Sequence, residues 1–375
     1  MLNGYATPEG TASYGKRAIE KGKPASHLRM FEGLLLTSIG MGTYLGNPSE
    51  EDDRAMEEAL FRSVISGGIN VLDTAINYRA MLSEKCIGRV LSRLSKVGVG
   101  RQEVFVCSKN GYITNDAQYP GISVRDYMQK MFIESEIIDA NEISSGSNVM
   151  NTRYLSRCID KSLMNMHIST IDVVYIHNAF ESWHRDASRP IFMEMLAKVF
   201  ELYERYRQNS KIRYYGMATW TCFRVPSDSE QYLSLEQVVK TAEEVGGKQH
   251  GFRFIQLPYN LTYDEAYFSK TQTYRGQSNL TILEVARKYG IGVFTSVPLM
   301  QGRLLEEDLP EYAGMIDKAT RVLQFARSTP GILAPLIGHK SPSHVDENLR
   351  VTNLPPLDEH QFLDAVRVLK QSSTL

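Results

Sequence analysis

Residues 37–78 read TSIGMGTYLGNPSEEDDRAMEEALFRSVISGGINVLDTAINY: a short apolar stretch, an amphipathic middle, and a second apolar stretch that ends in an acid. Pro48 and the pairing of Ser49 with Asp52 mark a helix start, since a serine just ahead of a first turn can satisfy its free amides. Met56, Leu60 and Val64 then recur every four residues, which is one face of a helix, and Gly67 and Gly68 stop it. The reading is strand 37–42, helix, strand 69–73, a single βα unit of a parallel sheet.

The same alternation continues along the chain. Apolar runs predict further strands at 104–108, 172–177, 212–217, 252–257, 292–295 and 333–337, each without the polar alternation of a half-exposed strand. Between 252–257 and 292–295, Ile282, Ala286 and Tyr289 share a helical face and Gly290 supplies a C-terminal cap. Eight such units predict an α/β fold of the (β/α)8 TIM-barrel type, whereas an open doubly wound sheet has about five to seven strands and a nucleotide-binding glycine turn. Gly40, Gly42 and Gly46 miss that turn's spacing by one residue. We expect one barrel domain over 1–375 with a C-terminal helix. Residues 110–150 form an insertion after the third strand, far longer than a usual βα loop. Its Tyr112, Tyr119, Tyr127, Met128, Met131 and Phe132 predict structure of its own, folded over the barrel mouth.

Composition narrows the function. The 42 basic and 43 acidic residues leave a net charge of −1, which excludes the basic footprint of a nucleic-acid binder. Hydrophobic content of 42% with 23% charged residues fits a folded chain. Cys86, Cys107, Cys158 and Cys222 are scattered without CxxC spacing, so they are expected reduced and buried. No apolar run has the length of a signal peptide or a membrane span, so a soluble cytoplasmic protein with no membrane partner is expected. His177 and His184 lie seven apart with no ligand at metal spacing, and no metal site is predicted.

In a barrel of this type the chemistry sits where strands end at their C-terminal side. The second strand ends in Asp73, with Tyr78 five residues on; the third ends in Ser108 and Lys109; the fourth ends in His177. Together these make a proton-transfer device. A phenol with an ordinary pKa near ~10 becomes a better acid beside an ammonium, Asp73 can hold Lys109 charged, and His177 can hydrogen-bond a carbonyl oxygen. After the eighth strand, Gly338, Lys340, the capping Ser341 and Pro342 read as a helix N-terminus with a cation beside it, a site for an anion.

On these residues the sequence resembles the aldo-keto reductase superfamily, over about residues 37–354. The catalytic tetrad of that family falls on Asp73, Tyr78, Lys109 and His177, and family-like stretches follow in order: GMGTYLG from Gly40, YYGMATW from Tyr214, FIQLPYN from Phe254, FTSVPLMQGRL from Phe294 and LIGHKSPSHVDENL from Leu336. The resemblance implies an NADP(H)-dependent oxidoreductase that reduces an aldehyde or ketone, a small-molecule carbonyl substrate, with Tyr78 as general acid. It implies cofactor contacts from Gly42, Thr43, Asp73, Thr219 and Gln256 at the nicotinamide side. Further contacts fall on Ser296, Pro298, Leu299 and Gly302, and on Gly338, Lys340, His344, Glu347 and Asn348 around the 2′-phosphate and adenine. Tyr44, Tyr78 and His177 would meet the substrate.

Two positions depart from the family pattern. Ala218 and Thr219 stand where the family commonly has Ser-Asn against the carboxamide, and Ser296 stands where many members stack an aromatic ring on the nicotinamide. These departures would suit a second reading, a slow or non-catalytic cofactor-binding subunit like the regulatory subunits of potassium channels within the same family. A third reading, a barrel lyase or hydrolase built on Asp73 and Lys109, leaves the anion site at Lys340 without a use.

Overall fold

The computed structural model describes residues 1–371. In chain order its strands are β1 (Leu28–Phe31), β2 (Leu34–Thr37), β3 (Gly40–Gly42), β4 (Val71–Asp73), β5 (Phe105–Asn110), β6 (Ile171–His177), β7 (Ile212–Ala218), β8 (Phe252–Pro258), β9 (Gln272–Tyr274), β10 (Gln277–Leu280), β11 (Gly292–Ser296) and β12 (Ile332–Ile337). Eight of them, β3 to β8 with β11 and β12, close a barrel in which each strand runs parallel to its neighbours. This is the (β/α)8 fold expected from the apolar runs.

Period two along each strand divides the core. Val71, Phe105, Cys107, Val173, Tyr175, Phe254, Phe294 and Ala334 fill the barrel interior. The Phe254 and Phe294 rings stack there at 5.6 Å between centroids. Alternate residues such as Leu72, Val106, Val174 and Ile176 face the helices. At Gly216 the interior has no room for a side chain, because a Cβ there would lie 1.9 Å from the Phe254 carbonyl oxygen.

The helices start where the chain supplies caps. Ser49 accepts from the Asp52 amide at the head of Glu50–Ile65, and Asn151 accepts from the amides of Arg153 and Tyr154 at the head of Thr152–Met166. Thr281 and Glu284 form a reciprocal capping box at the head of Ile282–Lys288.

Four features correct or add to the sequence reading. The first predicted strand, 37–42, is divided: Thr37 ends β2, and only Gly40–Gly42 joins the barrel. The Thr37 hydroxyl donates to the Ile39 carbonyl and breaks the run between them. An antiparallel hairpin, β1 with β2, lies across the N-terminal end of the barrel and sets Leu34 and Leu36 against its interior cluster. A second hairpin, β9 with β10, lies between β8 and the helix Ile282–Lys288. A further helix, Pro8–Glu20, capped by Thr7, precedes the barrel. Helix Glu359–Gln371 provides the C-terminal helix that was expected.

Residues 111–150 are tied down along their length. Tyr112 pairs with Asn148 in an isolated antiparallel bridge, and Asp116 pairs with Lys85 and Lys161 from two separate barrel helices. Tyr127, Met128, Ile138, Val149 and Met150 are buried with the outer core. The four cysteines are free thiols and buried. No helix among the described residues is long and apolar enough to cross a membrane.

Candidate active site

The strand ends that carried the sequence argument come together at one cavity. Register pairs Asp73 on β4 with Cys107 on β5, and Lys109 on β5 with Tyr175 on β6, so the polar ends of three adjacent strands share one rim. Lys109 is fully buried, and its Nζ donates to Asp73 Oδ2 at 2.5 Å and to the Thr74 carbonyl at 2.8 Å. Gln256 Nε2, from β8 across the barrel, donates to the other carboxylate oxygen at 2.9 Å. The carboxylate is therefore satisfied on both sides, and the ammonium is fixed.

Tyr78 stands over that ammonium, which lies 4.9 Å from the ring centroid. The backbone behind it is unusual: Arg79, Ala80 and Met81 all have φ between +51° and +70°, a left-handed turn of three non-glycine residues. Buried Arg79 holds the turn, donating through Nε to the Asn47 carbonyl at 2.9 Å and pairing with Asp53 at 2.5 Å. His177 approaches from the other side, with ring centroids 5.9 Å apart and planes at 74°.

The electrostatics assign each group a protonation state. Burial pushes the Tyr78 phenol above its ordinary value, and the nearby Lys109 charge pulls it back only in part. The ammonium's pull, expected from the sequence, is outweighed by burial. Lys109 is held above the usual lysine range; Asp73 and Tyr78 together outweigh the penalty of burying its charge. Burial, then the Lys109 charge, hold His177 well below its usual value, so the imidazole is neutral.

The cavity measures about 630 Å3, within the range of small-molecule and cofactor sites. Gly42, Tyr44, Asp73, Tyr78, His177, Thr219, Gln256, Ser296, Pro298, Leu299, Gly302, Gly338, His344, Glu347 and Asn348 line it, all of them expected from the sequence. Thr43, Lys109 and Lys340 are not among its lining residues; Lys109 lies buried behind Asp73. Thr43 is buried and bonds through its amide and hydroxyl to the Asp73 carbonyl, and Lys340 is paired with Asp52. Ser341 accepts from the His344 amide and caps helix Pro342–Leu349 as expected. Between β12 and that helix lies His339, buried against Ser63 and Asn348, its pKa pushed down to about 4 chiefly by burial.

The residues fit a dinucleotide. A Cβ at Gly42 would meet nothing nearer than 3.9 Å, so space a side chain would take is left open. Asn77 Oδ1 and His177 Nδ1 are buried and have no hydrogen-bond partner among the described residues. The sequence reading missed Asn77, Tyr112 and Asn178 as lining residues. Tyr112 stands three places after Lys109 and Asn178 directly after His177, so proximity to the strand ends was the available signal.

Known proteins resemble this chain in sequence or in fold. The Aldo/keto reductase family model matches residues 38–324. The L-galactose dehydrogenase of Arabidopsis thaliana is 23% identical over 356 residues, 88% of each chain. Among solved structures, the glycerol dehydrogenase of Gluconobacter oxydans superposes with a TM-score of 0.60 at 17% identity, covering 93% of this chain and 96% of that one. An aldo/keto reductase from Klebsiella pneumoniae in complex with NADP and acetate superposes with a TM-score of 0.59 at 16% identity, covering 92% and 95%.

Proposed function

Because the chain belongs to the aldo/keto reductase family, we propose that it interconverts a small aldehyde or ketone and the corresponding alcohol with NADP(H), Tyr78 giving or taking the proton. Nicotinamide, when bound, supplies the hydride that the carbonyl carbon accepts. Tyr78 then protonates the developing alkoxide, so negative charge does not accumulate in a buried site. Lys109 stabilises the phenolate left behind and is kept in place by Asp73, while neutral His177 offers a ring nitrogen to the carbonyl oxygen. The observation that carries this reading is the Tyr78 ring at the cavity wall with the Lys109 ammonium 4.9 Å from its centroid. The NADP bound by the Klebsiella protein and the dehydrogenase names of the other two relatives support it.

A panel of aldehydes, ketones and quinones with NADPH, followed at the nicotinamide absorbance, tests the proposal. Turnover with at least one carbonyl is expected, and none across the panel would leave a cofactor-binding protein without this chemistry.

The raised phenol and lowered imidazole set a pH profile. Reduction needs protonated Tyr78 and neutral His177, so kcat for reduction should run flat from pH 6.5 upward and fall only above the ordinary phenol value of 10.0. A break near pH 6.5 would mean that His177 titrates there and would contradict its neutral role.

We assign the 2′-phosphate to Lys340 and the first turn of Pro342–Leu349. The phosphate and Asp52 would compete for one ammonium. Lys340→Met is expected to weaken NADPH about tenfold in calorimetric titration and to leave NADH unchanged. Equal losses for both cofactors would remove Lys340 from the phosphate site.

A further inference from the structure

The imidazole of His177 lacks the usual means of fixing a catalytic histidine. Such rings are commonly oriented by a hydrogen bond to the second nitrogen, yet Nδ1 here is buried and has no partner among the described residues. Two aromatic rings hold it instead. Tyr78 meets it on one side, and Tyr112 packs edge-on at 4.9 Å and 82°, the closer contact of the two.

Tyr112 comes from the 111–150 segment, and that segment grips His177 twice. Its Asn148 donates through Nδ2 to the His177 carbonyl at 2.9 Å, and Trp183 Nε1 donates to the Asn148 Oδ1 at 3.3 Å. Tyr112 and Asn148 are partners in the bridge that closes the segment, backed by bonds from the Ile113 amide to the Ser147 carbonyl and from the Val149 amide to the Gly111 carbonyl. The bridge can pass this close to β6 only because residue 111 is glycine. Its φ is +117°, and a Cβ there would lie 2.8 Å from Asn148 Nδ2 and 3.1 Å from Ile176 Cδ1. The Tyr112 hydroxyl accepts from Asn178 Nδ2 at 3.3 Å and its carbonyl accepts from the Tyr154 hydroxyl at 2.9 Å, so the ring is anchored at both ends.

We propose that the 111–150 segment is part of the active site, with Tyr112 the positioning residue that sets the imidazole of His177 by ring packing. The inference rests on the catalytic reading of His177 given above. A wedge of this kind acts on orientation, and a displacement of about 1 Å at a reacting group can cost on the order of a hundredfold in rate.

The test pairs two substitutions with two measurements. Tyr112→Leu removes the ring edge and should lower kcat about tenfold to a hundredfold with the NADPH Kd unchanged, whereas Tyr112→Phe keeps the edge and should restore most of the loss. In protein carrying labelled histidine, the ring resonance of His177, assigned by its disappearance in His177→Gln, should move in Tyr112→Leu and return in Tyr112→Phe. If Tyr112→Leu does not fold, Asn148→Ala releases the His177 carbonyl and should move kcat and the resonance in the same direction. Wild-type kcat and an unmoved resonance in Tyr112→Leu, or an equal loss in Tyr112→Phe, overturn the proposal. Absence of NADPH-linked turnover in the wild type would instead defeat the catalytic reading, and the resonance would still report whether Tyr112 holds the ring.

Discussion

Tyr78→Phe is expected to lose about 10²- to 10⁴-fold in kcat for carbonyl reduction while binding NADPH as the wild type does. The substitution takes away one oxygen and its proton and leaves the ring, so the edge contacts with Tyr44 and His177 persist. Neither Lys109 nor His177 is suited to replace the phenol as acid. Lys109 is held above the ordinary lysine range and committed to Asp73 and the Thr74 carbonyl, and His177 is neutral. Single-turnover rates with saturating NADPH isolate the chemical step from product release. A variant that retains wild-type single-turnover rates would show that the proton comes from elsewhere.

Lys109→Met carries the second large effect, on stability as well as rate. Asp73 is 4% exposed, and without the ammonium its carboxylate keeps only Gln256 as a side-chain partner among the described residues. Breaking a buried ion pair from one side costs about 3–5 kcal/mol, because the remaining charge is stranded. Urea unfolding should therefore show a loss of that order, and kcat should fall with it as the phenolate loses its counter-charge. Adding Asp73→Asn removes the stranded charge. The double variant should regain most of the stability and none of the turnover, which separates the two roles of the pair. A single variant as stable as the wild type would mean that Asp73 is protonated in the native state.

The barrel was legible because its signals are local. Strands covered on both faces must be apolar along their whole length, and the helices between them start at serine and asparagine caps and stop at glycines. The polar residues at strand ends could then be placed on one rim before any coordinates. Both hairpins were missed for a common reason. Glu32 and Gly33 turn the first with φ of +50° and +76°, and Arg275 and Gly276 turn the second with +48° and +82°. Such turns announce themselves when asparagine or aspartate precedes the glycine, and neither does here. Of the Leu34–Thr37 strand, only Thr37 fell inside the first predicted strand.

The site divided in the same way. Asp73, Lys109 and His177 are set by strand register, which a sequence pattern can reach. Arg79 and Tyr112 are set by a left-handed turn of non-glycine residues and by a bridge inside the insertion, both of which depend on tertiary contacts. The net direction of the Tyr78 shift was missed on similar grounds: sequence shows the charge that stands beside a phenol but not how completely water is shut out from it.

The hairpin across the N-terminal end has a kinetic consequence. With that end covered and the interior filled by stacked phenylalanines, whatever the cavity takes up is expected to enter and leave by the rim. Two molecules that share a doorway do not come and go independently: whichever lies deeper must arrive first and leave last, so product inhibition should follow a fixed queue.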